Sequence, residues 1–282
     1  EMVLTITHNG YIKRTSLSTY RSQRRGGRGV QGASSREEDF VEHLFVANTH
    51  SYILFFTDKG KCYWVKVYDI PEGGRAAKGR AIVNLIGCEP DEKVSAFISV
   101  KEFNEDHYVV MATEKGMVKK TKLSAYSNPR KKGIYAVEIR DGDKLIEARV
   151  STGDNDILLG TRNGKSIRFS EEQIRASGRK TMGVKGITLS SEDDRLVGML
   201  LIKREGTVLV ATEKGFGKRT EISQYRAQKR GGKGVLTMKT TDKVGKMVTI
   251  KEVVDKDDLM IITNQGVLIR LPVAQILSLI HI

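Results

Sequence analysis

The 282-residue chain has two cysteines, four prolines and one tryptophan, and aromatics make up only 6% of it. The two lone thiols, Cys62 and Cys88, belong to no motif, which fits a reducing cytoplasm better than a disulfide-stapled secreted scaffold. Apolar runs are mostly four to six residues long. None approaches the roughly 20 residues that a membrane helix needs. The opening EMVLTITHNG lacks a basic n-region and an apolar core, so it does not read as a signal peptide; without an initiator Met the chain is expected to be a fragment. His8, His43, His50, His107 and His281 show no ligand spacing with cysteines or carboxylates. GGRAAKGR at 73–80 lacks the Gly-Lys-[Ser/Thr] ending of a phosphate loop. The sparse aromatics argue against a stacking platform for single strands. No catalytic constellation is expected, and no Pro- or Ser-rich linker divides the chain.

Positive charge is abundant: 48 Lys+Arg stand against 34 Asp+Glu, for a net charge of +14 and a pI near 9.7. Such a balance suggests nucleic acid or an anionic membrane surface, against the plainer alternative of a solvated basic face. What decides between these is a repeat. VLTITHNGYIKRT, YILFFTDKGKCYWV, YVVMATEKGMVKKT, DILLGTRNGKSIRF, TVLVATEKGFGKRT and DLMIITNQGVLIRL are copies of one strand–turn–strand unit. Their anchor glycines (Gly10, Gly60, Gly116, Gly164, Gly215, Gly266) are spaced 50, 56, 48, 51 and 51 residues apart. A two-residue turn ending in Gly between β-branched and aromatic runs is a hairpin signal. A second glycine follows the anchor by 19 residues at Gly29, Gly79, Gly183 and Gly234, and by 17 at Gly133. Segments such as KVSAFISV and RLVGMLLI add a further strand. Roughly four strands in about 50 residues is the arithmetic of a propeller blade. LSTY, LSAY, EEQIRAS and ISQY, which follow hairpins, are expected to form single turns, some capped by serine.

The repeat also organises charge. The fourth residue after each anchor is Arg14, Trp64, Lys120, Arg168, Arg219 or Arg270. The third is Lys13, Tyr63, Lys119, Ile167, Lys218 or Ile269, cationic only in copies one, three and five. Because side chains alternate faces along a strand, the fourth-position residues are expected to share an outward face and ring a disc, with strongly and weakly basic sectors alternating. The loops before the second glycine add Arg24, Arg25 and Arg28; Arg75 and Lys78; Arg130, Lys131 and Lys132; Arg179 and Lys180; and Lys229, Arg230 and Lys233. Acidic residues gather elsewhere, in REEDF, EPDEK, SEDD and DKDD. This segregation points to phosphate contacts that position duplex DNA without reading its sequence. QRRGGRG at Gln23 to Gly29, with a near-copy QKRGGKG at Gln228 to Gly234, packs three cations and three glycines into seven residues, a loop suited to lying against a polyanion.

With these residues in view, the chain resembles the C-terminal domain of the GyrA polypeptide of bacterial DNA gyrase. HNGYIKRTSLSTY and QRRGGRG match that family's signature box and its setting, and EEDFVEHLFVANTHSYILFFTDKGKCYWVKVYDIPE and MATEKGMVKKT extend the match, which covers about residues 1 to 276. The resemblance implies an all-β, six-bladed β-pinwheel whose blades exchange strands. It implies one domain over 1–282, with blades at about 1–45, 46–100, 101–150, 151–200, 201–252 and a partial 253–282. It implies that double-stranded DNA wraps the basic rim and that the box residues Gln23, Arg24, Arg25, Gly26, Gly27, Arg28 and Gly29 take part. It implies as partner the gyrase catalytic core, meaning the rest of GyrA with the GyrB polypeptide, in an ATP-dependent enzyme that introduces negative supercoils. No cofactor, metal or membrane is implied for this domain, which is expected to be cytoplasmic, non-catalytic on its own and monomeric in isolation.

Two features depart from the pattern. The role of the near-copy at Gln228 to Gly234 is open, because it lies outside the usual box position. The tail LSLIHI replaces a polar second half-blade, so blade six is expected to be incomplete. Rival readings are a topoisomerase IV-type domain that binds DNA without strong wrapping, and a propeller that docks proteins. The intact box weighs against the first, and the ring of cations is superfluous for the second.

Overall fold

A computed structural model describes residues 1–17, 39, 41–74, 76–203, 205–262, 268–276 and 279–281. The box at Gln23 to Gly29, and Arg75, lie outside the described residues. Every repeat opens with an antiparallel hairpin: Met2–Thr7 with Tyr11–Ser16, Tyr52–Thr57 with Lys61–Lys66, Tyr108–Thr113 with Met117–Lys122, Asp156–Thr161 with Lys165–Ser170, Thr207–Thr212 with Phe216–Glu221, and Asp258–Ile262 with Leu268–Pro272. The first five turns share one construction. A threonine ends the first strand, its carbonyl accepts the anchor glycine N–H, and its hydroxyl accepts the next N–H, as in Gly60 to Thr57 (3.0 Å) and Lys61 to Thr57 Oγ1 (3.2 Å). Among the described residues only glycines have positive φ. The turn is therefore a threonine-closed loop with one left-handed glycine, longer than the two-residue turn expected from the sequence.

Each of the first five hairpins carries a third strand after it in the same repeat: Val41–Ala47, Val94–Val100, Leu145–Ser151, Leu196–Ile202 and Met247–Val253. The fourth strand of each sheet comes from the following repeat. Arg80–Ala81 joins the first hairpin, Ile134–Tyr135 the second, Val184–Lys185 the third, Val235–Leu236 the fourth and Leu279–His281 the fifth. The first four of these exchanged strands follow the second glycine of their own repeat, which explains that glycine's spacing. Gly183, at φ +79°, crosses so close that a Cβ would sit 2.2 Å from the Val118 carbonyl oxygen, a position only glycine tolerates.

This arrangement corrects the six-bladed expectation. Among the described residues there are five four-stranded blades, and the sixth repeat is a two-stranded hairpin. Leu279–His281 of the LSLIHI tail supplies the exchanged strand of the fifth blade.

Side chains of the first strands of blades two to five alternate between two apolar layers, both of them buried. Leu54 and Phe56 pack with Met111 and Tyr126 between blades two and three, whereas Ile53 and Phe55 pack with Leu4 and Ile12 between blades one and two. Val110, Ile157 and Phe169 fill the next interface, and Leu158, Val208 and Met247 the one after. Each such side chain contributes about 1.5–3 kcal/mol when removed from water. Third strands of successive blades pack against one another on the inside, where Arg149 Nε donates to the Met199 carbonyl (3.1 Å) and Lys203 Nζ to that of Val150 (2.9 Å). The exchanged strands lie at the opposite, outer edge of each sheet. Three of the expected single turns form, at Leu123–Tyr126, Glu171–Gln173 and Ile222–Gln224, and the Ser170 side chain caps one of them by accepting from Glu172 N–H at 3.2 Å; all but the first residue of LSTY lie outside the described residues.

Candidate nucleic-acid interface

Because both faces of a blade are covered by its neighbours, a cation on a hairpin strand does not reach a free rim. Lys13, Lys119 and Lys120 are buried, at 3%, 1% and 7% exposure, which corrects the expectation of an outward ring. Arg14, Arg168 and Arg219 are mostly covered as well.

Their polar ends bind the single turn of the following repeat. Arg14 Nε donates to the Ile70 carbonyl (2.7 Å). Arg168 Nη1 donates to Ile222 and Tyr225 (3.0 and 3.2 Å), and Arg219 Nη1 to Val273 and Ile276 (3.1 and 3.3 Å). Lys120 Nζ reaches the Glu171 carbonyl at 3.4 Å. Carbonyls at the ends of one-turn helices are short of intrahelical donors, so a cation from the preceding blade supplies them. Carboxylates balance the charge: Glu72 beside Arg14 (3.0 Å), Asp156 beside Arg168 (2.7 Å), Asp255 beside Arg219 (2.7 Å). Trp64 takes this position in blade two, with its indole N–H buried and unpartnered among the described residues. The side chain of Arg270 lies outside the described residues.

The third-position lysines also turn inward. Lys13 Nζ donates to the Gly74 carbonyl (3.0 Å) and Lys218 Nζ to Thr237 (3.3 Å). Lys119 Nζ donates to both Ala136 and Arg179 (2.6 and 3.0 Å). The alternation seen in the sequence is thus an alternation of inter-blade clasps.

One group of solvent-facing cations lies on the connections leading into the exchanged strands, along the outer edge; others, such as Lys93, Lys115, Lys144 and Lys214, stand near the hairpin turns. Lys78, Arg130, Lys131, Lys132, Lys180, Lys229 and Lys233 are wholly or partly exposed, as the loop pattern predicted. Arg80, Arg175, Lys185 and Arg226 are exposed beside them and were missed. The available signal for two of these was position, since Arg175 and Arg226 both stand eight residues before the second glycine. None of these edge cations makes an ion pair with a described residue. Lys78 lies over the Tyr11 ring (4.0 Å) and Lys180 over that of Tyr135 (5.6 Å), contacts that fix direction without neutralising charge. Arg179 is half-buried and donates to the Tyr135 carbonyl (3.2 Å).

The near-copy loop is built onto blades three and four. Gln228 N–H binds the Arg168 carbonyl (2.8 Å) and Gly231 N–H that of Gly186 (2.8 Å). Arg230 forks inward, with Nε to Gln173 (3.1 Å) and Nη1 to Lys185 (2.6 Å), both main-chain carbonyls. Of the loop's three cations, Lys229 and Lys233 therefore face out and Arg230 holds the loop in place.

Acidic side chains are used on the hairpin-turn face. Asp143 accepts from Lys115 N–H (2.9 Å), Asp194 from Asn163 N–H (2.9 Å), and buried Glu92 from Thr57 and Tyr63 hydroxyls (3.1 and 2.7 Å).

A family model described as the DNA gyrase C-terminal domain, beta-propeller, matches residues 1–48, 51–101, 107–152, 155–203, 206–253 and 257–279. The chain belongs to this family. The GyrA polypeptide of Clostridium acetobutylicum DNA gyrase is 51% identical over 275 residues, covering 98% of this chain and 33% of that protein. Its counterpart in Staphylococcus epidermidis is 47% identical over 279 residues, covering 98% and 31%. The chain thus spans about a third of the length of the curated relatives it matches. A solved structure of the C-terminal domain of DNA topoisomerase IV superposes with a TM-score of 0.83 at 26% identity, covering 98% of this chain and 86% of that one. The DNA gyrase A C-terminal domain superposes with a TM-score of 0.78 at 24% identity, covering 98% and 91%.

Proposed function

We propose that this chain is the part of GyrA that binds duplex DNA along its outer edge, without reading sequence, and wraps it. The wrap presents a neighbouring segment of the same DNA to the catalytic core, so that ATP-driven strand passage by assembled GyrA and GyrB introduces negative supercoils in the bacterial cytoplasm. In this reading the chain contributes charge and curvature, and cleavage and ATP turnover belong to the rest of the enzyme.

One observation carries the reading. In four successive repeats, exposed cations with no ion pair among the described residues recur on the same connection, so they form a line along the outer edge. Phosphates spaced along a duplex are the polyanion that such a line fits. A second reading, binding without a strong wrap, draws support from the 0.83 TM-score to the topoisomerase IV domain. The QRRGGRG box favours the first.

The deciding experiment incubates the chain with relaxed circular DNA and a nicking-closing enzyme. Constrained writhe of one sign, growing with protein added, is the expected result. Binding that leaves the linking number unchanged would favour the second reading, and absence of duplex binding would end both.

A further inference from the structure

Lys119 is the most deeply buried cation of the third-position set, and no carboxylate pairs with it among the described residues. An unpaired buried ammonium is unfavourable, yet this side chain bridges two successive repeats. It starts in blade three, and its amine donates to the Ala136 carbonyl at 2.6 Å and the Arg179 carbonyl at 3.0 Å. Ala136 directly follows the exchanged strand laid on blade two, a few residues after Arg130, Lys131 and Lys132. Arg179 belongs to the next repeat's connection, beside Lys180. One amine therefore fixes two adjacent exposed basic loops at once.

We infer that Lys119 is a positioning residue for DNA binding, holding the edge loops of two successive repeats in the register at which their cations meet one duplex. The inference rests on the reading of the outer edge as the DNA interface.

The surroundings of the amine give the clasp a pH response. Burial, and secondarily the Arg179 guanidinium, bring Lys119 down from the ordinary lysine value to about 7. The other ionisable groups around this junction are Arg175, a fixed cation lining the adjoining cavity, the Tyr126 phenol, which donates to the same Ala136 carbonyl at 3.2 Å, and the Cys62 thiol; burial pushes the last two up, so both are neutral. A cavity of about 480 Å³, lined by Lys119, Ile174, Ser177, Thr181 and Met182, gives the loop room to lift and water a route in. The closed clasp takes up its proton near pH 7, whereas an opened, solvated lysine does so near 10.5. As pH falls from about 10.5 to about 7, opening grows by up to about tenfold per unit, and it levels off below that.

Two measurements on the full chain test this. The first compares wild type with Lys119→Met in salt-titrated binding to a short duplex. A lysine that touched one phosphate would account for about 0.9 in the slope of log K against log salt. The expected loss is about 2 or more, because several exposed cations lose register together. An unchanged or one-contact loss in a folded variant overturns the inference. A wild-type protein without salt-dependent binding overturns the interface reading and the inference with it. The second measurement holds even if the variant does not fold. Trypsin cleavage at Lys131, Lys132 and Lys180, referenced to an unstructured peptide, is followed from about pH 7 to about pH 9. Protection that rises steeply with pH in wild type supports the clasp, and a flat profile overturns it; where Lys119→Met folds, its profile should be flat.

Discussion

Gly183 crosses the Val118 carbonyl at a distance that leaves no room for a side chain: a Cβ would stand 2.2 Å from the oxygen, and the backbone sits at φ +79°. The contact joins repeat four to blade three, and Lys119 and Lys120 follow Val118 directly. The strand-exchange architecture therefore depends on glycine here for space and for conformation together. Gly183→Ala should destabilise the fold by about 2–4 kcal/mol, through clash and strain. Gly178, with open space around it, should accept alanine within about 0.5 kcal/mol. Denaturant melts of the two variants give the comparison, and equal stabilities would contradict the account of the exchanged strand.

Cations of the hairpins and cations of the edge should separate cleanly by experiment. Arg168 binds the Ile222 and Tyr225 carbonyls and Asp156, so Arg168→Ala should lower stability by about 2–4 kcal/mol. With folded protein in excess, its salt slope for DNA should stay near that of wild type. Lys229→Ala with Lys233→Ala should leave the melting temperature unchanged and reduce the slope by about 2. The reverse pattern would return the hairpin cations to the DNA surface.

Glu171 is fully buried and accepts from the Ser151 hydroxyl and the Asn155 N–H, with the Lys120 amine 3.8 Å away. Removing its charge leaves Lys120 buried beside an uncompensated gap. Glu171→Gln should destabilise by about 3–5 kcal/mol, and adding Lys120→Met should recover part of that loss, since the orphaned charge goes too. Strict additivity of the two changes in urea melts would show that the pair is not coupled.

The hairpins, their spacing and the exposed loop cations were legible in the sequence, because turn glycines and loop charges act locally. Gly183 and Gly234 marked the connections correctly even though the sequence did not show which blade each would join. Lys13, Lys119 and Lys120 were misjudged for a physical reason. Alternation along a strand assigns one face to solvent only in a sheet with an open face, whereas here Ile53 and Leu54 point opposite ways and are both buried. Arg230 was read as a polyanion ligand, but its fork finds two main-chain carbonyls once the loop folds onto Gln173 and Lys185. A cation's type and spacing cannot distinguish a phosphate from a carbonyl of the next blade. The count of blades failed because a sixth hairpin is visible in sequence, while the strands that would complete its sheet are not.

If the outer edge engages roughly 8–12 phosphates, log K should fall with log salt at a slope of about −7 to −11. Affinity should depend on base sequence only through bendability. A slope shallower than about −3 would rule out an extended wrap.

Binding and wrapping should separate at the box. Bending a stiff duplex around a small disc costs several kcal/mol, on the order of 1–6, which contacts late in the path must offset. The loop at Gln228 to Gly234 shows what a box-type sequence does in this fold: its middle cation secures the loop and the outer two face solvent. If the box divides its cations in the same way, Arg24 and Arg28 contact DNA and Arg25 holds the loop. Changing all three to alanine should leave most affinity for short duplexes, which need little bending and keep the remaining edge cations. Constrained writhe on circular DNA should be lost, as the end of the wrap peels away. Arg25→Ala alone should then match the triple variant in writhe while leaving two of the three charges in place, because a loop without its anchor no longer presents them. If instead Arg25→Ala behaves as wild type and Arg24→Ala with Arg28→Ala carries the whole loss, the box holds itself in place without its middle arginine. If the triple variant constrains writhe like the parent, the box is not where the wrap is closed.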